Sequence, residues 1–383
     1  MRIARPILSL LLVLVALPGC SSCRRMIEGM GPPLVEVSQQ DASFLVGIEG
    51  PWWAAEPVVL HPVRLRDGAI EPGEAIEVDR PDSGLVPATS VHGQILYLAR
   101  GSEVERRRPF ASPAAADARK VQGQPASLLG SEGGCFVGLE GRVDYVDFTG
   151  STPELMMLHE DLSLAKPVDF IVPMDGGLVA VDDEVVPRYA FVFHLHPDQP
   201  AVHRFTAELP SGPNETYSDV VVVDDDLFIT ATFGVITGPG NTLYRWPIRK
   251  SSDAESGEQL EEFKPEHKPG LTPTLLAGSA FTHWNGLGVL GDHLFIGAGR
   301  RGVLLGPVDG KPDRLHDVDG WCLDLLVLGE RLVVLVADGE QDPGTHRVSG
   351  ARQIVVLSWD AGRETLVEEA RHDLDLALDA LAI

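Results

Sequence analysis

Positive charge, methionine, cysteine and aromatic side chains are all scarce in this sequence, and each scarcity narrows what the protein can be. Only 31 Lys and Arg stand against 56 Asp and Glu, a formal net charge of −25. Such a chain repels a polyanion at long range, so nucleic acid is excluded as a partner. There are four cysteines; Cys135 and Cys322 sit inside apolar segments, the usual setting of buried free thiols, and no disulfide framework follows. Six methionines beside 40 glycines and 29 prolines argue for many turns and few long helices. Familiar catalytic signatures are also missing. The chain has no Gly-x-Ser-x-Gly nucleophile elbow, no His-Glu-x-x-His pair, no glycine-rich phosphate loop with lysine and no dinucleotide-binding fingerprint.

What is present begins with a leader. Residues 1–19 carry Arg2 and Arg5, an apolar stretch from Pro6 to Leu17, and the ending Leu17-Pro18-Gly19 before Cys20. This is the layout of a secretory signal peptide, too short and wrongly flanked for an ordinary membrane span. The ending resembles the lipobox of bacterial lipoproteins, with leucine, glycine and cysteine in place and Pro18 as a departure. The resemblance implies lipidation of Cys20, which becomes the mature N-terminus, and membrane contact through that lipid only. Ser21 and Ser22 follow where an inner-membrane retention signal would need aspartate, so the resemblance implies an outer-membrane anchor in the cell envelope. Residues 20–40 read as a flexible tether containing Pro32 and Pro33. Cys20-Ser-Ser-Cys23 also has redox or zinc spacing, but no second pair or βαβ pattern accompanies it.

Beyond the tether one unit keeps returning. "PATSVHGQILYLA" from Pro87, "ASLLGSEGGCFVGL" from Ala126, "DFIVPMDGGLVAVD" from Asp169 and "DVVVVDDDLFITA" from Asp219 are hairpins: strand formers, a turn, strand formers. "GVLGDHLFIGA" from Gly288 and "LDLLVLGERLVVLVA" from Leu323 repeat the pattern. A third strand and a more polar fourth follow most of them, so the unit recurs about every 40 to 50 residues, the period of propeller blades. Three further strands lie between Phe44 and Val78, and the last residues, Leu374 to Ile383, form a lone strand. Pairing the two ends removes two exposed sheet edges. The expected fold is therefore all-β: over residues 41–383, a seven-bladed β-propeller of four-stranded blades, closed by the C-terminal strand pairing into the first blade. Residues 250–270 read as an inserted polar loop. Gly138 and Gly297 occupy the same place in their units, where close approach of backbones is expected. "VDYVD", Val143 to Asp147, resembles the LVIVD-type repeats of bacterial extracytoplasmic propellers, whereas "GVLLGP" lacks the aspartate at Gly306. That likeness concerns the fold and carries no activity.

In a propeller the loops joining second to third strands, and fourth strands to the next blade, share one face where function usually collects. That face is expected to hold "GPWWAAE", "DDEVVPR", "GRR", "FTHWNG" and "DVDGW". Trp52, Trp53, Trp284 and Trp321 fall in or beside these loops, with His283, and are the candidate ligand-binding residues; indole surfaces suit proteins, peptides and glycans. Trp284 and Trp321 equally fit packing at blade junctions. Asp182 and Asp183 could contribute to a calcium site, although one run cannot complete a six-oxygen shell. Asp224 to Asp226 is explained by turn chemistry. His194 and His196 share one side of a strand, and His346 is a lone possible base; no third ligand or partner can be named for them. The leading expectation is a lipid-anchored binding or scaffold module for a protein, peptide or glycan. The alternative is an extracytoplasmic hydrolase or lyase with a metal-assisted site at the top face.

Overall fold

The strand Arg331–Ala337, RLVVLVA, shows why this chain folds as it does. It is apolar without alternation after its first residue, so both faces of its sheet must be buried. In the fold, Leu332, Val334 and Val336 pack toward one neighbouring sheet, and Val333 and Leu335 toward the other. The computed structural model describes residues 42–383 apart from 51–56, 67–68, 80–86, 112–115, 151–153, 161–166, 184–187, 197–198, 210–214, 225, 234–239, 248–283, 311 and 343–347. The leader, Cys20, the tether, Trp52, Trp53, His283, His346 and the polar insertion lie outside the described residues.

Seven antiparallel sheets stand in a ring. Sheet 1 contains β1 (Leu45–Glu49), β2 (Val58–Arg66), β3 (Ala69–Pro72) and β4 (Ile76–Val78). Sheet 2 runs through β5 (Thr89–His92), β6 (Ile95–Arg100), β7 (Glu103–Arg107) and β8 (Ala116–Lys120). Sheet 3 comprises β9 (Ser127–Gly130), β10 (Gly134–Leu139), β11 (Arg142–Asp147) and β12 (Glu154–Glu160). Next come β13 (Phe170–Met174), β14 (Gly177–Val181), β15 (Arg188–His196) and β16 (Gln199–Leu209) in sheet 4. The described residues supply three strands of sheet 5: β17 (Glu215–Val223), β18 (Asp226–Phe233) and β19 (Gly240–Pro247). In sheet 6 are β20 (Asn285–Leu290), β21 (His293–Gly297), β22 (Val303–Pro307) and β23 (Arg314–His316). Sheet 7 holds β24 (Trp321–Leu328), β25 (Arg331–Ala337), β26 (Arg352–Asp360) and β27 (Thr365–Leu374). The last strand, β28 (Leu378–Ala382), returns to sheet 1.

That return closes a seven-bladed β-propeller. β28 pairs antiparallel with β1, setting Val46 opposite Ala382 and Ile48 opposite Ala380. The closing strand is shorter than the expected Leu374–Ile383, because Leu374 finishes β27. The first blade also carries an unexpected strand: β2 is nine residues long and pairs with β3 at one end and β4 at the other.

The core is divided among the joints. Among the described residues seven hydrophobic clusters each lie between two neighbouring sheets, so the core they form is distributed around the ring. Alternation of side chains along each strand sends neighbours into different clusters. In β6, Leu96 and Leu98 face sheet 1 while Tyr97 and Ala99 face sheet 3.

Each joint also carries a polar latch. Around the ring, the Ser43 hydroxyl donates to Gly93 O, Gly130 N–H to the Ser90 hydroxyl, and the Ser127 hydroxyl to Val168 O. Tyr217 N–H donates to Asp183 Oδ2 at 2.8 Å, Leu287 N–H to Asp219 Oδ2 at 2.7 Å, and Leu381 N–H to Asp324 Oδ2 at 2.8 Å. The Asn285 amide donates to Leu323 O across the remaining joint. Within a sheet, glycine lets inner strands approach closely at two matched positions. A Cβ on Gly297 would stand 2.0 Å from Asn285 O, and one on Gly138 would stand 2.2 Å from Ser127 Oγ.

Candidate functional site

Within a blade, the hairpin between first and second strands marks the lower face. The link between second and third strands marks the upper one. A cavity of about 920 Å³ forms a channel among the inner strands of sheets 4, 5, 6, 7 and 1. Its rim includes Gly176 and Gly291 from lower-face hairpins and the C-terminal Ile383, so it opens downward. The walls are valines, leucines and glycines, with Ser218, Asp219 and Asp324 at greater depth. Asp219 and Asp324 occupy matching places, each next to a β-bulge in an inner strand. Each also receives the N–H of its own successor, Val220 or Leu325.

Both carboxyls lie deep in the body with a part of their surface open to the channel. Burial pushes Asp219 up to about 6 against its two backbone N–H bonds. Burial, with a contribution from the Asp219 charge, pushes Asp324 up to about 7. Neither residue stands out in sequence beyond being a lone acid in an apolar inner strand. The matching places of these acids in "SDVVVV" and "LDLLVL" were the available signal.

On the upper face, Trp321 begins β24, partly exposed and opposite Ala337. Trp284 is 1% exposed and packs with Phe228 and Leu287 in the joint between sheets 5 and 6. Its backbone N–H donates to the Asn241 side chain. Asp182 is buried, and Asp183 follows β14 on the upper face. One Asp183 oxygen takes the Tyr217 N–H and the other pairs with Arg188 Nε at 2.8 Å. Arg188 lies over the Tyr217 ring as well. Burial pushes the Asp183 carboxyl up to about 7, opposed by Arg188 and the Tyr217 N–H. Among the described residues no group of three or more His, Cys, Asp or Glu side chains is placed to hold a metal ion. The structure thus gathers Asp182, Asp183 and Arg188 but leaves Trp284, buried between sheets 5 and 6, apart from Trp321, at the start of β24 in sheet 7.

A second concavity, about 400 Å³, opens on the upper face of sheet 6 and is lined by Arg300, Arg301, Leu315 and Asp317. The two arginines come from the turn between β21 and β22. Gly299 and Gly302 adopt φ of +57° and +86°, which suits glycine, and bracket the pair. The turn is pinned on both sides: Cys322 N–H donates to Gly299 O at 2.9 Å, and Ala298 N–H to Gly302 O. His316, beside Leu315, has its pKa lowered by burial despite the nearby Asp317 and Glu368. It therefore adds no positive charge near neutral pH.

No family model matches the sequence, and no curated protein matches it either. Solved structures do. The chain is similar to a protein from Lactobacillus plantarum, with a TM-score of 0.54 and 11% identity over 88% of this chain and 98% of that one. It is similar also to apo AztD from Citrobacter koseri, with a TM-score of 0.50 and 10% identity over 88% of this chain and 96% of that one. The fold is shared. At such identities nothing about the site is carried across.

Proposed function

We propose that the chain is a lipid-anchored protein of the bacterial cell envelope, held to the outer membrane through Cys20. Its propeller presents the upper face to a protein, peptide or glycan. One observation supports this reading above others: the root of the tether and the upper cleft lie on opposite faces. Ala42 bridges to Gly93, in the lower-face hairpin of sheet 2, and Ser43 N–H donates to Gly93 O. Arg300, Arg301, Leu315 and Asp317 line the cleft above. A lipid on Cys20 would draw from the lower side and leave the cleft and Trp321 turned toward solution. A binding role also agrees with the net charge of −25, which keeps an anchored domain soluble and off anionic surfaces.

The test places a photoreactive amino acid at Leu315 on the upper face or at Glu330 in the lower hairpin between β24 and β25. Partner adducts should form in cells from position 315 and not from 330. Adducts from 330 alone would refute the assignment of faces. In parallel, Cys20→Ala should abolish incorporation of a labelled fatty acid and release the protein from the membrane fraction. Continued labelling would refute the anchor.

A further inference from the structure

In an acid-rich chain, arginines find carboxylates, and most described ones here have. Arg106 pairs with Asp117, Arg245 with Asp226, Arg331 with Glu369 and Arg371 with Glu368. Arg300 and Arg301 are, with Arg108 and Arg119, the exceptions, and they alone among these stand side by side: among the described residues neither has an ion pair or a side-chain hydrogen bond, although the chain holds 56 Asp and Glu. Two like charges on adjacent residues, held on a pinned turn, would be relieved by a carboxylate from elsewhere in the chain. None is supplied. The turn itself is held by the hydrogen bonds that Gly299 O and Gly302 O accept from Cys322 and Ala298.

We propose that the cleft binds a peptide segment bearing a carboxylate side chain beside an apolar one. A guanidinium is a planar fork that matches a carboxylate with two parallel hydrogen bonds, and the pinned turn holds the backbone of both arginines at the cleft. Leu315, 43% exposed and one of the few exposed large apolar residues described, provides the adjoining apolar contact. Asp317 lines the same cleft and accepts the Asp319 N–H through Oδ1. With two cations and one anion the site balances about one carboxylate, not a run of phosphates. The space of about 400 Å³ fits one or two side chains. A membrane of anionic lipid is the less favoured source of the anion, because the whole protein at −25 is repelled by it. This inference rests on the upper face being the binding face.

Calorimetric titration of the full-length chain in detergent tests it, with acetyl-Leu-Glu-Leu-Glu-amide against the isosteric acetyl-Leu-Gln-Leu-Gln-amide. The glutamate peptide should bind at least about tenfold more tightly and lose affinity as salt is raised. Arg300→Ala with Arg301→Ala should reduce its binding by about tenfold or more, while the paired Lys variant, which keeps charge but not the fork, should retain an intermediate affinity. Equal affinity for both peptides, no binding of the glutamate peptide, or an unaffected Ala double variant would overturn the proposal. So would preferential binding of inorganic phosphate, or of vesicles of phosphatidylethanolamine with phosphatidylglycerol. Unchanged urea midpoints in both double variants show that the fold is intact. Cross-linking from Leu315 that persists in the Ala double variant would sink the carboxylate proposal while leaving the face assignment standing.

Discussion

Asp324 is where ring closure and pH meet, and replacing it by asparagine makes the connection measurable. Its two oxygens hold the N–H groups of Leu325 and Leu381, each at 2.8 Å, so it fastens β24 to the strand that seals the propeller. Burial raises its carboxyl from the ordinary 3.8 to about 7. The folded state then binds more protons than the unfolded chain between those values. Stability from this group is complete below about pH 4 and is lost as pH rises through about 7. Moving from pH 8 to pH 5 should therefore stabilise the native protein through this residue by roughly 2–3 kcal/mol. Asp324→Asn keeps the shape and one acceptor but cannot titrate, so its stability should change less between the two pH values by about that amount. Loss of one N–H acceptor should cost it about 1–3 kcal/mol at pH 5, a deficit that shrinks or reverses at pH 8. Urea midpoints followed by tryptophan fluorescence at both pH values provide the comparison. Parallel pH dependence in the two proteins would refute the reasoning, whatever the remaining carboxylates contribute.

Further expectations follow from the same geometry. Deleting Leu378–Ile383 uncovers β1, whose amides should lose protection in hydrogen exchange, and the protein should self-associate through the open edge; unaltered protection would contradict sealing by β28. Gly297→Ala forces a Cβ to 2.0 Å from Asn285 O and should lower stability by about 1–3 kcal/mol, whereas Gly362→Ala, facing only Asp360 Oδ1 at 3.3 Å, should have little effect in thermal unfolding. Cys135 and Cys322 are buried with their thiol pKa values raised by burial. Peptide mapping should find both unalkylated by iodoacetamide at pH 8 in the native protein and modified once urea is added; prompt native labelling would show that the joints open.

The repeat was legible because a blade is a local object. A run such as "LDLLVLGERLVVLVA" writes its own hairpin, and the unpaired strands at the two chain ends point to one another by edge protection alone. The upper-face position of the "GRR" turn was equally legible, since strand order within a blade dictates the face. The latches were not. Asp183 finds Tyr217 at 34 residues' separation, Asp219 finds Leu287 at 68 and Asp324 finds Leu381 at 57. No local pattern encodes such pairings. β3 was hidden for another reason: Ala69–Pro72 is short, largely exposed and has no apolar alternation, and it pairs only because β2 outruns its inner neighbour.

By itself, the sequence determined the strand count per unit, the apolar runs that demand cover on both faces, and the turns that set upper from lower. These are consequences of neighbouring residues, and neighbouring residues are what a sequence displays. Only the tertiary structure decided that Trp284 is core, that Asp219 and Asp324 face a channel, and that Arg300 and Arg301 form no ion pair among the described residues. Those outcomes depend on which sheet stands next to which, and in a closed ring each sheet's burial, charge pairing and access to solvent are set by the neighbour it packs against.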